Sequence, residues 1–225
     1  MPKSPPAPPA VPFPATIPKN CLDAPKAIKI PDDLQKQFKE QWNNSFPGGR
    51  SQEHGGTLVR SPAPAPAADP AAAAAAPCPK TGDLSMVNAG SGLTPASGSF
   101  DPNRNVPPGD TIVGVFHTHP YDASEGGATN VSLSGGDAGY MINKGDPAII
   151  AQSGDGQYMY LRTEETPASV NATTLNDEQN ARISALVSSG KSFSEASQIA
   201  AKETAQKYKL AYYEGKDGTL RRVSC

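Results

Sequence analysis

The stretch Thr111-Ile-Val-Gly-Val-Phe-His-Thr-His-Pro120 decides how this chain is read. It is rich in β-branched and aromatic residues, which predicts a strand over residues 111–119. A strand repeats every second residue, so His117 and His119 share one face and Thr118 takes the other. Pro120 cannot donate to a ladder, so it stops the strand and starts a loop. Two imidazoles on one face at a strand end are a natural half of a metal site.

Working outward, the flanking segments read as alternating helix and strand. Ser134 to Lys144 has a helical pattern closed by Gly145. Pro147 to Gln152 and Gln157 to Arg162 are strand candidates joined by a turn at Ser153 to Gly156. Upstream, Pro31 and Asp32 open a helix that places Leu34, Phe38 and Trp42 on one face, with Gly48 and Gly49 ending it. Thr57 to Arg60 is a short strand candidate. Downstream, Leu175 to Ser189 is an amphipathic helix stopped by Gly190. Ser192 and Glu195 then form a capping box for a second helix to about Tyr208. Leu210 to Glu214 and Leu220 to Val223 flank a turn at Gly215 to Gly218, which predicts a hairpin. The fold class is α/β, with a central mixed sheet, flanking helices, and a C-terminal helical segment and hairpin.

Composition divides the chain. Of its 24 prolines, ten lie in residues 1–31 and six in residues 62–79. Three parts follow: a proline-rich arm (1–29), a core (30–165) carrying a Pro/Ala-rich insertion (61–105), and a C-terminal part (166–225) packed on the core. Met1 to Pro18 is too proline-rich for helix or sheet and is expected to be extended or disordered. The insertion reads as a surface loop followed by a polar Gly/Ser/Asn segment, set apart from the chemistry. Net charge is −2 with no dense basic stripe, which argues against nucleic acid as a partner. The longest apolar run, Ala71 to Ala76, is far below the roughly 20 residues of a membrane span. The N-terminus has Lys3 and then prolines, unlike a secretory signal, so export would need a machine that does not read one. Cys21, Cys78 and Cys225 form no CxxC; unpaired thiols are the simpler expectation, and a Cys21–Cys225 bridge is the alternative.

A catalytic metal site needs a third ligand and an open position. Asp137, in Ser134-Gly135-Gly136-Asp137, is the best candidate. The same four residues also read as a helix cap with Ser134 as N-cap, and the two roles are compatible. Two histidines and one aspartate would carry one negative charge and leave Zn²⁺ a water, whose pKa it lowers towards ~7. Glu53, beside Gly55 and Gly56 and just before a strand, is the candidate general base. His54 reads as its exposed neighbour rather than a ligand.

In the order Glu53, His117-Thr118-His119-Pro120, Ser134-Gly135-Gly136-Asp137, these residues resemble the JAMM (JAB/MPN, Mov34-like) metalloproteases. The EHGG and GVFHTHP strings look most like bacterial JAB-like domains of secreted and polymorphic-toxin proteins. The resemblance covers about residues 30–165. It implies a JAB/MPN-like core, zinc held by His117, His119 and Asp137, Glu53 as acid and base on the zinc water, and Ser134 as a helper of the tetrahedral oxyanion. It implies cleavage of an amide bond in a protein or peptide substrate, by a peptidase or isopeptidase. It further implies an effector or toxin that begins in a bacterial cytoplasm and is secreted or delivered to a target cell, with an immunity protein or a secretion-machine component as partner.

The segment Tyr121 to Leu133 is longer than the family's usual spacing and is expected to be a mobile flap over the metal. With only three histidines in the chain, metallo-β-lactamases, barrel amidohydrolases and zinc deaminases do not fit. The alternative function is a catalytically inactive JAB-like scaffold that binds a protein partner.

Overall fold

The computed structural model describes residues 8–62, 84–93 and 100–225. In chain order these form β1 (Val11–Pro12), β2 (Ala27–Lys29), α1 (Asp32–Asn44), β3 (Gly55–Arg60), β4 (Leu84–Gly90), β5 (Thr111–Thr118), α2 (Gly135–Lys144), β6 (Ala148–Ser153), β7 (Gly156–Leu161), α3 (Ala172–Ser188), α4 (Phe193–Lys207), β8 (Ala211–Lys216) and β9 (Thr219–Ser224). Among the described residues the strands make one nine-stranded sheet, in the order β1-β2-β9-β8-β7-β6-β5-β3-β4. The protein is therefore α/β with a mixed sheet.

Each helix starts where local chemistry says it should. Pro31 precedes α1, and Asp32 and Asp33 fill its first turn, favourable against the helix dipole. Ser134 caps α2 through a reciprocal capping box with Asp137, and Gly145 closes it in the left-handed region at φ 72°. Ser192 and Glu195 make the same box at α4.

The helices cover both faces of the sheet. On one face Leu34 and Phe38 of α1 pack with Leu58, Phe116, Ile150 and Met159, and the rings of Phe38 and Phe116 stack at 3.7 Å. On the other face Ala138, Met141 and Ile142 of α2, Leu175 of α3, and Ala201 and Ala205 of α4 pack with Val115, Ile149, Tyr160 and Tyr212. Strand alternation thus sends Val115 and His117 to the three-helix side. Thr118 goes to the α1 side, where its hydroxyl meets Ser45 Oγ at 2.7 Å. No described helix is long and apolar enough to cross a membrane.

The structure departs from the sequence-based expectations at four places. Leu84–Gly90, expected as polar loop, is an edge strand antiparallel to β3. Only its Leu84 and Met86 reach the α1-side core, which left little pattern to read. The arm is not separate from the core: β2 pairs with β9, β1 pairs with β2, and Phe13 and Ile28 are buried. The segment 121–133 is packed in part: Asp122 caps a turn of 3₁₀ helix over Ala123–Glu125, Ser51 N–H donates to Asp122, and Val131, Ser132 and Leu133 are buried, while Ala123 to Gly127 stay exposed. Finally, Cys21 and Cys225 form a disulfide, with Cα atoms 5.3 Å apart, in place of free thiols. Pairing of β2 with β9 brings them together across a separation of 204 residues, which decides for the bridge that the sequence left as the alternative. Cys78 and the six-alanine run lie outside the described residues.

Closing so long a loop removes much unfolded-chain entropy, ideally about 5 kcal/mol, of which native disulfides typically realise about 2–5. Reduction, or Cys21→Ser, is expected to lower the thermal midpoint by about 10 °C. Thermal melts with and without reductant test this, and an unchanged midpoint would show that the bridge is energetically idle.

Candidate metal centre

β5 and β6 run parallel, with Gly114 opposite Ala148 and Thr118 opposite Gln152. A parallel pair needs a crossover, and here α2 supplies it. The helix must therefore begin beside the carboxyl ends of these strands, where open α/β sheets place their ligand sites. Thr118 ends β5, His117 and His119 flank it, and Asp137 stands in the first turn of α2.

The three side chains meet. His117 Nε2 lies 3.1 Å from Asp137 Oδ1, and His119 Nε2 lies 3.3 Å from Asp137 Oδ2. The two Nε2 atoms are 2.8 Å apart. Asp137 Oδ2 also accepts from Ser134 N–H at 2.6 Å and from the Ser134 hydroxyl at 2.8 Å. The capping reading and the ligand reading of Asp137 therefore hold together: one oxygen serves the cap while both face the imidazoles.

Glu53 ends the segment before β3. Its carboxylate accepts the Phe100 N–H. One carboxylate oxygen and one nitrogen from each histidine lie within 4.8 Å of one another. Two trios thus compete as ligand sets, one completed by Glu53 and one by Asp137. Asp137 is the tighter partner, because only it forms ion pairs with the two rings. Glu53 lies within reach of the same two rings without pairing with either.

Charge and burial explain the proton affinities. Burial opposes an ionised Asp137, but the two adjacent imidazoles outweigh it and hold the carboxyl well below its usual range. Burial likewise opposes the His119 imidazolium, yet the Asp137 carboxylate lifts that group to about 9. Glu53 is raised, because burial outweighs the attraction of the histidines. Burial, then Glu53 and Asp137, push the Tyr121 phenol up to about 12.

The donor set suits zinc. Two nitrogens and a carboxylate are ordinary zinc ligands, and ligands about 2.1 Å from a tetrahedral ion sit about 3.4 Å apart. The histidine–aspartate separations match this, while the two nitrogens are closer. His119 Nδ1 lies 2.9 Å from the Ser132 carbonyl, which fixes a proton on Nδ1, so that Nε2 faces Asp137 as a donor when the ring is charged and as a metal ligand when it is neutral. His117 Nδ1 is buried with no hydrogen-bond partner among the described residues. Its ring lies parallel to that of Phe100, 6.1 Å away.

The centre opens on a cavity of about 420 Å³ whose walls include Phe100, Tyr121, Val131, Asn176, Ile183 and Phe193. A second cavity of about 310 Å³, with Ser51, Gln52 and Glu125 in its wall, also touches Glu53, His119 and Tyr121. Tyr121 therefore stands between two approaches. The sequence reading brought together Glu53, His117, His119, Ser134 and Asp137, and the structure places all five on the larger cavity. The segment expected over the metal does border it, through Tyr121 and Val131. The sequence reading missed Phe100, Asn176, Ile183 and Phe193, which carry no motif. His54 is half-buried rather than exposed. Its backbone brackets Thr118, donating to Oγ1 at 2.9 Å and accepting the Thr118 N–H at 2.8 Å.

Comparisons with protein-family models, curated proteins and solved structures gave no match.

Gly55 is needed for the close approach of β3 to β5: a Cβ there would sit 2.0 Å from the Phe116 carbonyl oxygen and 2.7 Å from His117 Cα. Gly55→Ala is expected to cost about 1–3 kcal/mol and to displace the His117 ring. Urea unfolding together with the imidazole NMR signals checks this; unchanged stability and unchanged ring signals would refute it.

Proposed function

We propose that this chain is a zinc-dependent amide hydrolase of JAMM type, a peptidase or isopeptidase acting on a protein or peptide. The observation that carries the reading is the convergence of His117, His119 and Asp137 at 2.8–3.3 Å, with a half-buried, proton-attracting Glu53 beside them on one cavity. The residues fall in the order of the JAMM motif, just before β3, at the end of β5 and in the first turn of α2.

His117, His119 and Asp137 would hold the ion. Zinc bound there supplies acidification of a water and polarisation of a carbonyl. The remaining work belongs to the chain. Glu53 accepts the proton of the attacking water as the new C–O bond forms. It returns that proton to the leaving nitrogen as the C–N bond breaks. A carboxylate raised by burial suits both halves of this cycle better than a solvated one. The Ser134 hydroxyl donates to Asp137 and lines the cavity. Turned towards a substrate carbonyl, it would donate to the developing oxyanion.

The Cys21–Cys225 bridge favours a destination in which disulfides persist, in keeping with an exported effector or toxin. An immunity protein or a secretion component would then be the partner. The inactive scaffold remains the competing reading and makes the opposite prediction for zinc.

The purified chain is expected to carry one zinc, measured by elemental analysis. His119→Ala should lose it. Glu53→Gln should keep it while peptide hydrolysis falls by at least about 100-fold, the lower range for acid–base catalysis. A chain that binds no zinc and is not stabilised by it would favour the scaffold. Full turnover in Glu53→Gln would remove Glu53 from the mechanism.

A further inference from the structure

The larger cavity extends well beyond the metal ligands, and its far wall comes from the C-terminal part of the chain. Asn176, Asn180 and Ile183 present one face of α3 to it, and Phe193 opens α4. Close helix packing makes this possible. A Cβ on Gly135 would sit 2.7 Å from Asn176 Cα, and one on Gly139 would sit 2.7 Å from Ala172 Cβ. With glycine at both positions, α3 lies directly against the first turns of α2, beside Asp137.

The wall is chemically selective. Tyr121, Val131, Ile183 and Phe193 supply apolar surface, and the Tyr121 and Phe193 rings meet edge-to-face at 5.6 Å. Phe193 remains 39% exposed where it borders the cavity, so part of its ring is open to an incoming group. Besides the two imidazoles, the charged side chains on the cavity are Glu53 and Asp137, already engaged by the Phe100 N–H and by those imidazoles. A charged substrate side chain entering here would find no free counter-ion and would lose its water. Asn176 adds a polar handle. Its Oδ1 accepts the Gly136 N–H at 3.0 Å, which fixes the orientation of the amide. The NH₂ group is left without a protein partner among the described residues.

We propose that this cavity is a specificity pocket that takes an uncharged, apolar side chain next to the amide bond of a peptide, with the Asn176 NH₂ donating to the peptide backbone. The proposal rests on the hydrolase reading and narrows its substrate class. The pocket discriminates by burial: Leu or Phe gains contact with Phe193 and Ile183, whereas Asp or Lys loses hydration without recompense.

The test uses the full zinc-loaded chain and peptides that differ only in the residue before the cleaved bond or only in the residue after it. At one of these positions kcat/KM is expected to favour Leu or Phe over Asp or Lys by about tenfold or more. Phe193→Ala should cut that preference several-fold. Because Phe193 is exposed, this variant is expected to fold normally, and its thermal midpoint verifies that. Binding of the same peptides to zinc-loaded Glu53→Gln gives a readout that does not need turnover. Cleavage with no preference at either position, or a preference untouched by Phe193→Ala, overturns the pocket and spares the hydrolase. Selective binding that weakens in Phe193→Ala, with no cleavage by the wild type, overturns the hydrolase and spares the pocket. Neither cleavage nor selective binding overturns both.

Discussion

Burial of the Asp137 carboxylate is the constraint from which much of this structure follows. A carboxylate removed from water must find donors or cations, or it takes up a proton. Asp137 keeps only 15% of its side chain exposed and meets this demand from two directions. The Ser134 N–H and hydroxyl donate to one oxygen, and the two histidine rings face both. Each partner fixes an element. The serine requires α2 to start at that point, and the rings require β5 to end there. The parallel pairing of β5 with β6 makes both true at once, because its crossover returns a helix start to a strand end. Thr118, between the histidines, locks the strand end from the other face through Ser45 and the His54 backbone. The geometry of the centre is thus a product of the topology rather than of the motif residues alone.

This explains which parts were legible in the sequence. Elements with a local cause were read nearly to the residue: the capping boxes at Ser134 and Ser192, the glycine stop at Gly145, and the β-branched run before His117. Elements whose cause is a distant partner were not. β4 is a strand because β3 offers it an edge, and its own residues, Ser85, Val87, Asn88 and Ala89 among them, carry only a weak alternation. The arm joins the sheet because β9 is there to receive Ala27–Lys29. Helix α3 begins at Ala172, earlier than Leu175, because the Asn171 side chain accepts the Thr174 N–H and makes a cap that the apolar pattern does not announce.

The same division runs through the centre. Its motif residues were found because their chemistry is rare and their spacing is short. Much of its cavity wall was not, because Phe100, Ile183 and Phe193 are ordinary apolar residues that only folding gathers. The C-terminal part does complete the fold, as its packing on the sheet shows. It also shapes the site, through the two glycines of α2 that let α3 approach. A resemblance confined to residues 30–165 could not have supplied that wall.

The insertion must also be seen differently. Its composition set it apart from the chemistry, yet the chain returning from it lies over the centre. Arg104 forks onto the buried Asp146 with both contacts at 2.7 Å, and Asn103 and Asn105 give their carbonyls to Asn88. These anchors fasten the segment at a fixed distance from β5, and that distance puts the Phe100 N–H on Glu53 and the Phe100 ring beside His117. The contact cuts two ways. The N–H stabilises the ionised carboxylate, while the bulk of the segment helps exclude the water that would stabilise it more. Burial wins, and Glu53 stays raised. A chain without this return would leave Glu53 open to solvent and its affinity for protons closer to that of an ordinary surface acid. The proline-rich excursion that separates Glu53 from His117 in sequence therefore ends in the segment that contacts both.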